Sequence, residues 1–103
     1  MVQVNVIQWP GMGRPTEADI RRALDAEGLS AYKWTNGPGD AYGAHNHTYH
    51  KVIYVVQGSI TFGLPGTSEQ VSLSQGDRLE LPAGVTHDAV VGPQGVICLE
   101  AHR

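Results

Sequence analysis

Three histidines offer the clearest chemistry in this chain of 103 residues. His45 and His47 are one residue apart, and because side chains alternate along a β-strand, both imidazoles can project from one face. His87 follows a Pro82-Ala83-Gly84 turn that can end one strand and direct the next towards the same point. Any one histidine is more often an ordinary surface or core residue. Three that converge predict a transition-metal site with coordination positions open for water, oxygen or a substrate.

The spacing around these histidines resembles the two motifs of the cupin family. The first motif is a glycine, five residues, His-x-His, three or four residues, a glutamate, six residues and a glycine. Its positions fall at Gly39, His45, His47, Lys51 and Gly58. The second motif is a glycine, five residues, Pro-x-Gly, two residues, a histidine, three residues and an asparagine. Its positions fall at Gly76, Pro82, Gly84, His87 and Val91.

The resemblance implies an all-β fold: a cupin-type double-stranded β-helix, or jelly-roll barrel, with one short N-terminal helix. The length suits a single cupin domain over residues 1–103, in which residues 1–30 form a strand and a helix that pack on a barrel of residues 31–103. The implied metal ligands are His45, His47 and His87, and the metal is iron, manganese, nickel, zinc or copper. Cupins are commonly dimers, so the resemblance also favours a homodimer.

Lys51 departs from the family pattern, because it stands where the motif has a glutamate ligand; Val91 likewise replaces the asparagine. A glutamate offsets the charge of a divalent cation, whereas a protonated lysine repels it. Lys51 could turn away and pair with a carboxylate such as Glu80 or Glu100. It could instead lie beside the metal as a neutral amine, or its ammonium could fill the ligand position of a metal-free site. The three imidazoles favour metal slightly over no metal.

Lys51 and Tyr49 are the candidate catalytic residues, since strand alternation places both on the face of His47. A buried lysine with a lowered pKa could act as a general base or form a Schiff base with a carbonyl substrate. Tyr49 could contact the substrate or donate a proton. The alternatives are a lysine at the barrel mouth with its ammonium in solvent, and a tyrosine that packs there.

Two functional hypotheses of different kinds follow. The first is an enzyme, similar to dioxygenases and related cupin enzymes, in which the metal is a Lewis acid or redox centre for a small molecule. The second is a metal-free cupin that binds or senses a small ligand through Lys51. A structural dimer with a vestigial site is a third, weaker hypothesis.

Composition argues against other partners. A net charge of -3, with only 7 Lys plus Arg, provides neither a basic stripe for nucleic acid nor a polybasic membrane patch. The sequence has no membrane-span pattern and no signal-peptide pattern at its start, so a cytoplasmic location is the default expectation. Cys98 is the single cysteine, and we expect it to be buried in a strand.

One strand from about residue 45 to residue 57 is predicted to carry the site. Its second face is also apolar, at Val52, Tyr54 and Val56, so another layer must cover it. That layer could be a second sheet, the amino-terminal segment or another subunit.

Other elements follow from periodicity and turn residues. Alternating valines predict a first strand at Val2, Val4 and Val6. Thr16 can cap a short helix that Gly28 ends and that packs on the barrel. Glycine-containing segments at 57–59 and 92–95 predict turns, the second of which would close the last hairpin.

Overall fold

A computed structural model describes residues 4–103 of the protein. Within this range the strands and the single helix are β1 (Asn5–Ile7), α1 (Glu17–Ala26), β2 (Tyr32–Asn36), β3 (Ala41–His45), β4 (Lys51–Leu64), β5 (Glu69–Ser74), β6 (Arg78–Leu81) and β7 (His87–His102). The expected all-β fold with one short helix is confirmed. Val2, from the predicted first strand, lies outside the described residues. No helix in the described part of the chain is long and apolar enough to cross a membrane.

The long strands β4 and β7 form the centre of an antiparallel sheet. In one half the order is β1-β6-β4-β7-β2, and in the other half β5 pairs with β4 while β3 pairs with β7. Both halves contribute side chains to one core, which is the interior expected of a jelly-roll barrel. Its buried members are Ile53, Val55, Ile60, Phe62, Leu73, Leu79, Leu81, Ala89, Val91, Val96 and Cys98.

The turns predicted at 57–59 and 92–95 are wrong, because both segments lie within continuous strands. The pairing register of β4 with β7 shifts on both sides of Gly58, so the glycines of these two segments belong to irregular, bulged parts of the strands. Gly58 has φ +83°, and a Cβ there would lie 2.0 Å from the carbonyl oxygen of Gly95. Glycine is therefore needed at this position because two backbones approach closely. In the sequence, a glycine required for this reason looks the same as a glycine in a turn.

The continuous strand predicted from residue 45 to residue 57 is also wrong. β3 ends at His45, residues 46–50 lie outside the strands, and β4 begins at Lys51. Strand alternation therefore does not explain the orientation of His47 or Tyr49.

Helix α1 covers the outer face of the barrel. Thr16 caps it as predicted, accepting from the backbone N–H of Asp19, whose carboxylate accepts from the Thr16 N–H in return. Two apolar residues of the helix are fully buried against β4 and β7, so the amino-terminal segment is the covering layer. This second cluster consists of Ile20, Leu24, Val52, Tyr54, Leu99 and Ala101.

Arg78 anchors this outer layer to the barrel. Its guanidinium is buried, donates to Glu27 just after the helix (Nη2 to Oε1, 2.9 Å), and donates to the hydroxyl of Tyr54 (3.2 Å). It also pairs with Glu80 on its own strand. These hydrogen bonds satisfy a charge that would otherwise be costly to bury.

Candidate metal centre

Three imidazoles meet at one end of the barrel. His45 is the last residue of β3 and lies directly opposite His87, the first residue of β7, in the antiparallel pairing. His47 lies in the loop after β3, and its carbonyl accepts a 2.8 Å hydrogen bond from the N–H of Gly84. One ligand atom from each histidine lies within 4.8 Å of the other two. The predicted convergence is present, although a strand pair and a loop produce it instead of alternation along one strand.

Backbone carbonyls orient two of the rings. Nδ1 of His45 donates to the carbonyl of Gly43 (2.7 Å), and Nδ1 of His87 donates to that of Val85 (2.9 Å). Each ring then presents Nε2 as the free lone pair, an arrangement typical of metal-binding histidines.

His47 has a buried nitrogen with an unmet bonding capacity. Its Nε2 is inaccessible to solvent and has no hydrogen-bond partner among residues 4–103. Buried polar atoms without partners are rare because each loses its hydration without compensation. A metal ion bound by the three rings would satisfy this atom, so the three histidines are suited to hold a metal ion.

The electrostatic surroundings of His47 and His87 favour the neutral form of both rings. Burial lowers the pKa of His47, and the nearby charge of Lys51 lowers it further. Burial also lowers the pKa of His87, against a smaller opposing effect of its hydrogen bond to Val85. Only the neutral imidazole binds a metal, so these surroundings favour the ligating form near neutral pH.

A cavity of about 160 Å³ adjoins the histidines. Its wall combines apolar and aromatic side chains with two of the histidines, Lys51 and Glu100. The residues that line it are Trp34, Tyr42, His45, Lys51, Ile53, Ile60, Phe62, His87, Ala89 and Glu100.

Lys51 lies beside the histidines and pairs with a buried carboxylate. Its Nζ is 3.4 Å from Oε2 of Glu100, whose side chain is 3% exposed. Of the two carboxylates considered from the sequence, Glu80 pairs instead with Arg78 and His50 on the outer face. The geometry therefore contains the ion pair of the first expected arrangement, with Glu100 as the acid, although Lys51 still lines the cavity beside His45 and His87.

Glu100 is named from the sequence only as one possible partner of Lys51, and the structure shows it as a buried acid of the site with several donors. Its Oε1 accepts from Nε1 of Trp34 (3.0 Å), and its Oε2 accepts from the hydroxyl of Tyr32 and from Nε2 of His102 (2.6 Å). Burial by itself raises the pKa of Glu100, but these hydrogen bonds and the charge of Lys51 outweigh it and hold the pKa below its usual value. In the sequence, Glu100 is the single acidic residue of the apolar segment 96–101, and this position could have indicated a buried acid.

Tyr49 packs against both His47 and His102, and His102 in turn bonds to Glu100. Its ring centroid is 5.0 Å from that of His47 and 4.1 Å from that of His102. His102 is exposed, and its Nε2 donates to Oε2 of Glu100 at 2.6 Å. His50 bonds to Glu80 at 2.7 Å on the outer face and is not part of the histidine cluster.

Cys98 is fully buried in the barrel core, as expected. Burial raises the pKa of its thiol to about 12, so it remains protonated and unreactive.

Residues 32–98, well over half of the chain, match the family model described as a cupin domain. The chain is a cupin. Among solved structures, this cupin is 30% identical to an RmlC-like cupin from Shewanella frigidimarina, with a TM-score of 0.62, over 72% of this chain and 64% of that one. It is 32% identical to KdgF from Halomonas sp., with a TM-score of 0.58, over 73% and 70% of the two chains.

The polyketide cyclase RemF from Streptomyces resistomycificus is 25% identical, with a TM-score of 0.63, over 72% of this cupin and 54% of RemF. This cupin thus spans less than two thirds of RemF and of the RmlC-like cupin. No curated protein matches it.

Proposed function

We propose that this cupin holds a divalent transition metal at His45, His47 and His87 and acts there on a small molecule. The observation that carries the proposal is the buried Nε2 of His47, which has no partner in the described chain and lies within 4.8 Å of the other two ligand atoms. Two of the three rings are already oriented through Nδ1. Iron, manganese, nickel, zinc and copper all suit imidazole ligands.

The adjoining cavity supports a small substrate. Its volume of about 160 Å³ is close to the roughly 150 Å³ of an engineered apolar cavity that binds benzene. When bound, the metal supplies a Lewis acid or a redox centre for an oxygen-bearing substrate. The apolar wall, which includes Ile60 and Phe62, holds the remainder of the molecule away from water.

Lys51 and Tyr49 are the proposed catalytic residues. The Lys51 ammonium has three N–H groups, of which Glu100 can accept one, and Lys51 also lines the cavity. It can therefore donate to a substrate oxygen while staying paired with Glu100. Tyr49 packs beside His47, and we propose that its hydroxyl exchanges a proton with a molecule bound at the histidines. The similarity to a polyketide cyclase supports an enzymatic role at this site.

A second candidate function is a metal-free cupin that binds a small ligand. It is favoured by Lys51, which lines the cavity at the position where the family motif has an acidic ligand. In that case the ammonium meets a carbonyl or anionic oxygen of the ligand, and Nε2 of His45 and of His87 can accept hydrogen bonds from a hydroxyl or amino group of the ligand.

Metal analysis of protein purified without a histidine tag tests the proposal. We expect near-stoichiometric metal in the unaltered protein and none in the variant carrying His45→Ala and His47→Ala. The matched control is His50→Ala, which removes an imidazole from the outer face and leaves the cluster intact. If the unaltered protein contains no metal and takes up none of the five candidates when they are added, the metal proposal is wrong and the metal-free function replaces it.

We also propose that the protein is a homodimer. The apolar face that first suggested a partner is covered by α1, so it no longer supports the proposal. Support comes instead from β1, which pairs with β6 and exposes 42% of Val6 and 48% of Ile7. Exposed apolar residues on a short edge strand are suited to pairing with a second copy. Sedimentation at micromolar concentration should give a dimer, and Ile7→Lys should give a monomer; a monomeric unaltered protein contradicts the proposal.

A further inference from the structure

We propose that Glu100 is a positioning residue that makes the three-histidine centre compatible with Lys51: it neutralises the ammonium and holds it away from the metal position. This inference rests on the proposed metal function and assigns a role in it to a residue outside the family's motifs. The carboxylate that the motif places among the ligands is thereby replaced by one on another strand, which acts on the lysine and not on the metal.

The first step of the argument is electrostatic. Lys51 lines the same cavity as His45 and His87, so an uncompensated ammonium there would repel a divalent cation. Few solvent molecules can screen it, since the Lys51 side chain is 14% exposed. The pairing of β4 with β7 places Ile53 opposite Glu100, which brings the carboxylate diagonally next to Lys51.

The second step concerns the fixed position of the carboxylate. Trp34 holds Oε1, while Tyr32 and His102 hold Oε2, so both oxygens have donors besides Lys51. Moving the carboxylate to the metal would leave buried donors such as Trp34 unpaired. Glu100 therefore stays in place as an anion and keeps the ammonium at 3.4 Å.

The third step is the contrast with the other buried acid network. Glu80 is also largely buried and also pairs with a cation, but it does so on the outer face, with Arg78 and His50. It adjoins the helix and not the cavity. Glu80→Gln is therefore a matched control, because it neutralises a buried, paired carboxylate without changing the charge inside the barrel.

The experiment measures the affinity of tag-free, metal-depleted protein for Ni²⁺ alone by titration calorimetry. We expect Glu100→Gln to weaken binding about 10- to 100-fold, the range typical of residues that support metal ligands. Lys51→Met should act in the opposite direction and tighten binding about tenfold. The double variant that carries both Glu100→Gln and Lys51→Met should bind Ni²⁺ with an affinity within a few-fold of that of the unaltered protein. Glu80→Gln should leave the affinity unchanged.

Recovery of Ni²⁺ affinity in the double variant separates a charge role of Glu100 from a merely structural one. The double variant removes more of the network than Glu100→Gln does, so a structural role would predict binding at least as weak. The proposal is overturned if Glu100→Gln binds Ni²⁺ normally, or if the double variant binds as weakly as Glu100→Gln. If Glu100→Gln does not fold, the Ni²⁺ affinity of Lys51→Met tests the proposal. An affinity equal to or weaker than that of the unaltered protein overturns it.

The unaltered protein distinguishes this inference from the proposed function. If it fails to bind Ni²⁺ while Lys51→Met binds it, the histidine centre is functional but Glu100 does not compensate Lys51, so the inference alone is wrong. If neither protein binds Ni²⁺ or any of the other four candidate metals, the metal function is wrong and the inference fails with it.

Discussion

Lys51→Glu restores the carboxylate that the cupin motif has at this position, and the structure predicts that it will make folding stability depend on metal. The new carboxylate would lie next to Glu100, whose side chain is 3% exposed and which now pairs with Lys51. Without metal, Glu100 loses its cation and gains a like charge. With metal, the new carboxylate and the three imidazoles would bind a divalent cation, whose charge offsets the new carboxylate and the nearby Glu100.

The magnitude follows from the burial of the pair. Removing one partner of a buried ion pair costs about 3 to 5 kcal/mol. Glu100 keeps its donors Tyr32, Trp34 and His102, so we expect about 3 kcal/mol. For a domain of about 100 residues, 1 kcal/mol corresponds to roughly 4 to 8 °C in Tm, so the metal-free variant should melt roughly 12 to 24 °C below the unaltered protein. Metal at about 100 times its Kd should return about 2.7 kcal/mol, which is most of this loss.

Thermal unfolding with and without Ni²⁺ measures both effects. Two controls separate their causes: Lys51→Met removes the cation without adding a charge and should lose less stability, whereas adding Glu100→Gln to Lys51→Glu should relieve the repulsion and regain stability without metal. The reasoning is refuted if metal-free Lys51→Glu is as stable as the unaltered protein. Unchanged metal affinity in Lys51→Glu would show that residue 51 is not a ligand position.

Three further predictions concern pH and packing. The pKa values of His47 and His87 in the folded protein lie below the usual 6.5. Near that pH the unfolded chain therefore binds more protons than the folded protein does. The metal-free protein should lose stability as pH falls from about 7.5 to about 5.5. Urea unfolding measures this, and replacing both histidines by Gln should flatten the dependence. Leu24→Ala removes a fully buried helix residue and should lower the free energy of unfolding by about 2 to 5 kcal/mol without changing metal affinity. Gly58→Ala should destabilise the barrel, since its Cβ would lie 2.0 Å from the Gly95 oxygen; a soluble variant with unchanged Tm contradicts the bulge geometry.

Much of the fold and the ligand set could be predicted from the sequence. The motif spacing placed His45, His47 and His87 together, and the cap at Thr16 with apolar residues at helical spacing predicted α1. These features are local or occur at fixed spacings, so they can be identified without knowledge of strand pairing.

The remaining features depend on which strands pair and in what register. Gly58 and Gly95 carry a local signal that is shared by turns and bulges, and only the long pairing of β4 with β7 decides between them. The same pairing brings Glu100 next to Lys51. Sequence reasoning could name Glu100 as one possible partner, but the choice between it and Glu80 required the register of the sheet.

The antiparallel contact between His45 and His87 has a consequence for the maturation of the protein. These residues come from distant parts of the chain, and they become neighbours only when β3 pairs with β7. Contacts between distant segments form late, because closing a long loop costs entropy before any contact repays it. In a growing or partly folded chain, His45 and His47 therefore lack His87 beside them, and the three-histidine site is incomplete. We expect metal uptake to follow completion of the barrel, so that bound metal marks the molecules that have finished folding.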